Sequence, residues 1–88
     1  MQLVIVRGSA IPPYQQLAEQ IAVAIRSGEL APGDRIPTRK ELVEVYLLDL
    51  APNTVQKAMD LLKAEGLIFT SPGLGLFVKD TAEQSPAG

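Results

Sequence analysis

"APNTVQKAMDLLKAEGLIFTSPGLGLFV", Ala51 to Val78, runs from a proline-opened helix directly into a tight hairpin. Pro52 sits where the first N–H groups of a helix lack intrahelical partners, so proline loses no hydrogen bond there. Val55, Ala58, Met59 and Leu62 recur at intervals of three and four, the spacing of one buried helical face extending to about Glu65. Gly66 ends that helix, as glycine does at the position after a C-cap. "LIFTS" and "LFVKD" then read as two short strands around the tip "SPGLGLFV", Ser71 to Val78, which carries no charge.

Upstream, Thr38 and Glu41 stand three residues apart in the T-x-x-E pattern of a capping box. They open a second helix, with Leu42, Val45 and Tyr46 as its apolar face. The pattern weakens at "LLDLAPN", where Pro52 disfavours helix at Ala51. Before it lies "ELAPGDRIP", a compact connector with a turn at Pro32-Gly33-Asp34. Tyr14, Leu17, Ala18, Ile21, Ala22 and Ile25 mark a first amphipathic helix from about Pro13 to Ser27, closed by Gly28. "RGSAIPP" is punctuation, and the β-branched run Gln2–Val6 ("QLVIV") predicts an edge strand. The small polar residues 81–88 predict a disordered tail.

The predicted order is strand, helix, helix, helix, strand, tight turn, strand. This is a mainly α fold with a small β-hairpin, a winged helix-turn-helix of three helices plus a two- to three-stranded antiparallel sheet, occupying residues 1–80. In that architecture the third helix can enter a major groove while the hairpin reaches a neighbouring groove or the backbone.

Composition narrows the function. The chain of 88 residues has room for one small domain, and 47% apolar content is that of a globular protein. Neither cysteine nor histidine is present. Disulfides, thiolate metal sites and histidine acid–base catalysis are thereby excluded, and neither an enzyme, a metal nor a cofactor is expected. No apolar run reaches the length of about 18 residues needed to cross a membrane, and no cationic leader precedes the first apolar run. A cytoplasmic location without membrane contact is expected. The net charge of −2 gives no global attraction to nucleic acid, so any such binding rests on one local face.

"PPYQQLAEQIAVAIRSGELAPGDRIPTRKEL" resembles the opening of GntR-type winged-helix transcription regulators, with their S-G-x-L-x-P-G-D-x-L-P-S-x-x-x-L run. "APNTVQKAMDLLKAEGLI" is similar to their recognition helix, the P-N-T-V form being that of the branch called YtrA-like, and "GLGLFV" is similar to their wing, G-x-G-T-F-V. The resemblance covers Pro12 to Val78. It implies bacterial repressors or activators that bind pseudo-palindromic operators as homodimers, usually with a C-terminal domain that binds an effector and holds the dimer together. Three departures stand out. The wing has Ser71-Pro72 and Leu74 where the family carries basic residues, and Leu76 in place of threonine. "YLLDLAPNT" is about two residues longer than the family turn L-G-V-x-P-N-T and lacks its glycine. About ten residues follow the wing, too few for an effector domain.

On this basis the candidate DNA-binding residues are Arg35, Thr38, Arg39, Lys40, Asn53, Thr54, Gln56, Lys57, Lys63, Gly73 and Gly75. Asn53, Thr54, Gln56 and Lys57 point away from the apolar stripe of the third helix, and Asn and Gln can pair bidentately with adenine. Thr54 can join backbone N–H groups on a phosphate. Lys57 and Lys63 can reach phosphate or guanine. The resemblance places Lys40 at a phosphate-gripping position and Arg35 near the DNA backbone. Any solvated helix face carries such residues, and Arg35 could instead pair with Asp34 or Glu41. Five acids, Glu41, Glu44, Asp49, Asp60 and Glu65, offset the cations, which predicts weak binding by one copy and stronger binding by a dimer. Tyr14 and Phe77 are expected in the core, with Phe77 packing the wing onto the body.

The expected function is a sequence-specific DNA-binding transcription regulator, a repressor, acting on double-stranded DNA through the third helix as a homodimer. The alternative is a winged-helix module for protein interaction or dimerisation, using the apolar "LGLF" wing or the "YLLDL" turn.

Overall fold

The computed structural model describes residues 1–80; the tail expected at 81–88 lies outside the described residues. Three helices, α1 (Pro13–Arg26), α2 (Arg39–Glu44) and α3 (Pro52–Ala64), precede two strands, β1 (Ile68–Ser71) and β2 (Gly75–Val78). α1 and α3 both begin with proline in the first turn. Their apolar stripes face each other: Leu17, Ala18, Ile21 and Ala22 from α1 and Val55, Ala58, Met59 and Leu62 from α3 are all buried. Ile36, Leu42 and Val78 complete the centre of the core.

α2 has only six residues. Isolated helices shorter than about 12 residues are marginal, so α2 depends on its cap and on its anchor. The cap is the predicted box. Thr38 Oγ1 accepts from the Glu41 N–H at 3.2 Å, and Glu41 Oε1 accepts from the Thr38 N–H at 3.2 Å. The anchor is Leu42, which is fully buried. Val45, expected on the apolar face, is instead 68% exposed, because the helix stops at Glu44 and turns the chain outward. Leu48 and Leu50 enter the core in its place. The pivot is Leu47, whose φ of 58° is left-handed. That conformation costs an L-residue roughly 1–2 kcal/mol and a glycine little. The bond from the Leu48 N–H back to the Leu42 carbonyl, 3.0 Å, closes the turn around it.

β1 and β2 pair antiparallel, with Phe69 opposite Phe77 and Ser71 opposite Gly75. The tip closes with the Leu74 N–H donating to the Ser71 carbonyl at 3.0 Å. Pro72 and Gly73, the latter at φ 78°, occupy the central positions, which is the residue pattern of a type II turn. On the far side of β2, a single bridge joins Arg35 to Phe77, and Ile36 and Val78 donate to the Leu76 and Asp34 carbonyls at 2.7 and 2.8 Å. This isolated bridge flanks a sheet of two strands. Alternation along β2 turns Val78 into the core and Phe77 to the other face, where it stacks on Phe69 with centroids 6.0 Å apart. Val78, and not Phe77 as expected, therefore ties the wing to the body.

The N-terminal run is extended but joins no sheet. Its alternation is strand-like, with Leu3 buried and Val4 and Val6 exposed. Its hydrogen-bonding partners are glutamine side chains of α1. Gln20 Oε1 accepts from the Val4 N–H at 2.9 Å while its Nε2 donates to the Val4 carbonyl at 2.6 Å. Gln16 does the same for Val6, at 2.8 and 3.0 Å. The Met1 ammonium pairs with Glu29 at 2.8 Å, and Arg7 Nη2 donates to the Asp49 carbonyl, tying the arm to the α2–α3 turn.

Candidate nucleic-acid interface

A groove of about 420 Å³ opens where the start of α2, the outer flank of α3 and the wing converge. Pro37, Thr38 and Arg39 form one wall, Gln56, Met59 and Lys63 the floor, and Thr70, Gly75 and Leu76 the other wall. Thus Thr38, Arg39, Gln56, Lys63 and Gly75, all named from the sequence, come together in one place. The order of elements causes this. The α2 cap fixes the helix start, the Val55–Met59–Leu62 stripe fixes the rotation of α3, and Val78 with the Arg35 bridge sets the wing beside it.

The remaining candidates do not line this groove. Lys40 and Asn53 are exposed, and Thr54 is half-buried at the first turn of α3. Gly73 stands at the wing tip beside Leu74, which is 68% exposed. Neither wing glycine is crowded: an added Cβ would meet nothing within 4 Å at Gly73 or Gly75, so it is their positive φ, 78° and 115°, that calls for glycine. Lys57 lies on the α1 side, its Nζ 5.7 Å from the Tyr14 ring centroid, a cation–π distance. Tyr14 is only partly buried, its ring serving as a platform for Lys57 as well as packing against the core.

Several side chains already have partners. Arg35 pairs with Glu41 at 2.9 Å, both being substantially exposed. The Thr38 backbone N–H chiefly, and the Arg35 guanidinium beside it, hold the Glu41 carboxyl below its ordinary value against a desolvation that pushes the other way. Arg39 Nε donates to the Leu50 carbonyl at 3.2 Å, which braces the start of α2 against the turn before α3. Gln56 Nε2 donates to Asp60 Oδ1 at 2.8 Å. Lys40 and Lys63 form no ion pair among the described residues. Two features escaped the sequence reading. The Arg39–Leu50 brace depends on the fold of a turn that no local pattern specifies. The Gln56–Asp60 bond does have a local signal, a glutamine and an aspartate one helical turn apart.

The described residues hold no grouping of acidic side chains able to bind a metal ion, and none of their helices is long and apolar enough to cross a membrane. What the groove offers is a mainly apolar lining, with Pro52, Val55, Met59 and Leu76, set with the polar groups of Thr38, Gln56 and Thr70 and the cations of Arg39 and Lys63. Three helices followed by a hairpin, with the groove between α2, α3 and the wing, define a winged helix-turn-helix. The sequence profile described as "Bacterial regulatory proteins, gntR family" matches residues 13–78. The chain belongs to this family. It is similar to the HTH-type transcriptional repressor YtrA of Bacillus subtilis, with 35% identity over 75 residues, 85% of this chain and 56% of that repressor. The chain therefore spans just over half the length of that relative. The structure of YtrA from Sulfolobus acidocaldarius, a GntR-family transcription factor, superposes with a TM-score of 0.79 at 37% identity, covering 89% of this chain and 65% of the other. AraR(DBD) in complex with operator ORX1 superposes with a TM-score of 0.73 at 29% identity, covering 89% of this chain and 98% of the other.

Proposed function

We propose that this chain is the DNA-binding part of a cytoplasmic transcription repressor. It reads a pseudo-palindromic operator as a homodimer, placing α3 in the major groove of each half-site. The observation that carries the reading is the convergence of Thr38, Arg39, Gln56, Lys63 and Gly75 on one groove, in a chain whose fold matches a domain crystallised on its operator. Lys40, Lys63 and Arg39 supply phosphate contacts, joined by Thr54 and the first turn of α3. Asn53 and Gln56 face base edges. Arg35 can reach the DNA backbone by exchanging its carboxylate partner for a phosphate. Lys57 contributes from the α1 side. Gly73 and Gly75 present backbone to the duplex. The role is one of binding, without catalysis or cofactor.

Binding-site selection from random duplex DNA tests this. A palindromic consensus is expected, with affinity falling steeply as salt rises, because released counterions drive phosphate contacts. Absence of any selected sequence at low salt would overturn it.

A second reading has its own support in the exposed Leu47, Phe69 and Leu74. Through the wing or the turn before α3, the module would then bind protein, another copy included. Leu74→Arg separates the two. Beside DNA the added cation raises affinity several-fold, about one extra phosphate contact. At a protein contact it breaks the assembly, seen as a smaller species by light scattering.

A further inference from the structure

Gln56 and Asp60 lie one turn apart on the outer flank of α3, and both are exposed. Gln56 Nε2 donates to Asp60 Oδ1 at 2.8 Å, and the Gln56 side chain makes no other hydrogen bond among the described residues. A carboxylate accepts and cannot donate, so the amide must present its NH2 side to Asp60. One N–H is engaged there. The second N–H and the carbonyl oxygen remain on the free edge of the planar group, a donor and an acceptor side by side. Adenine presents the complement in the major groove, an acceptor at N7 and a donor at N6. Gln56 also lines the groove between α2, α3 and the wing, which puts the residue beside the space a duplex would fill.

We infer that Asp60 is a positioning residue for adenine recognition, fixing the Gln56 amide in the single orientation that reads adenine. The inference rests on the proposed placement of α3 in a major groove. It gives a purpose to a charge that otherwise opposes binding. Asp60 is an acid on a face meant to approach phosphate, and neither Lys57 nor Lys63, its cationic neighbours on the helix, forms an ion pair with it. Its negative charge lowers affinity for every duplex alike, while the hydrogen bond sharpens the choice among them. Affinity and selectivity should therefore move in opposite directions when Asp60 is removed. A carboxylate serving only to brace the helix would leave base preference unchanged.

The test uses the full chain with Gln56→Ala, Asp60→Ala and the double variant. Wild-type protein first selects its site from random duplexes. Anisotropy titrations then compare that site with duplexes altered at each base pair. Asp60→Ala is expected to bind all duplexes more tightly, yet to lose preference for adenine at one position in each half-site by about two- to tenfold, the range for a side chain no longer held in place. Gln56→Ala is expected to abolish that preference, and adding Asp60→Ala to it should change base preference no further. Undiminished adenine preference in Asp60→Ala, or an equal loss in both backgrounds, would overturn the inference and leave the proposed function standing. A wild-type chain that selects no sequence would overturn both.

Discussion

α3 and the wing border the same groove, yet they are built on different principles. α3 is held from beneath by Val55, Ala58, Met59 and Leu62, and it offers amide and ammonium groups. The wing is held at its base by Val78 and Ile68, and it offers glycine backbone and the side chain of Leu74. A rigid helix can fix a planar amide against a base edge, because its rotation is set by a whole stripe of buried side chains. A four-residue turn with an uncharged tip can conform to a surface but cannot hold a phosphate through side-chain charge. Selectivity in this molecule should thus belong to α3 and the start of α2, with the wing adding shape.

The strongest way to break this contrast is to undermine the helix from below. Leu62→Ala removes a fully buried side chain and is expected to cost about 2–5 kcal/mol, read as a lowered urea midpoint. Leu74→Ala at the tip should stay within about 0.5 kcal/mol of wild type. Equal losses at both sites would mean that the tip is packed and not free. Next in size, replacing Arg39, Lys40 and Lys63 together by alanine should weaken binding to all duplexes. The slope of log affinity against log salt should fall by about 0.9 for each phosphate that is no longer neutralised. An unchanged slope would move the DNA-binding face away from the groove.

Thr38→Ala opens the capping box and should cost about 1 kcal/mol, by thermal melting. The same box carries a pH signature. Because the Glu41 carboxyl is held below its ordinary value of 4.5, its contribution is fully present above that value and is lost as pH falls through the lowered one. Glu41→Gln should flatten this acid limb of the stability curve, whereas Thr38→Ala, which keeps the backbone N–H that chiefly lowers the carboxyl, should retain most of it; an identical limb in Glu41→Gln would place its origin elsewhere. The smallest effect sharpens the turn between the helices. Leu47→Gly relieves a left-handed residue but frees the unfolded chain, and the two together should leave a gain of about 0.5 kcal/mol.

Local signals made most of this fold legible. The capping box needs only Thr38 and Glu41 at the right interval, and the stripes of α1 and α3 repeat often enough to fix their buried faces. Sequence patterns mislead where a residue's fate depends on a distant partner. Leu3 and Val4 alternate as strand residues do, yet the partners of that run are glutamines on a helix, which no strand pattern can reveal. Val45 continues the α2 periodicity on paper, but the chain leaves the helix before the residue can pack. Size alone places Phe77 inside, whereas parity along β2 puts Val78 there. The groove is legible to the same degree. Thr38, Arg39, Gln56, Lys63 and Gly75 meet because helix order and hairpin spacing, both plain in the sequence, bring them together. The turn of Lys57 toward Tyr14 and the brace from Arg39 to Leu50 emerge only in three dimensions.

The glutamine pair on α1 has a consequence of scale. Two residues of extended chain advance about 6.6 Å, and four residues of helix about 6.0 Å. Gln16 and Gln20 can therefore engage Val6 and Val4 in succession, as two rulers of nearly equal pitch agree over neighbouring marks. The mismatch accumulates with each step, so the scheme is self-limiting. The next helical position is Ala24, which offers no amide, and the arm is secured beyond it by the Met1–Glu29 ion pair. Such a vernier lets a helix stand in for the neighbouring strand over two rungs. Amide exchange should accordingly be slowed at Val4 and Val6, a period-two pattern in a segment that belongs to no sheet.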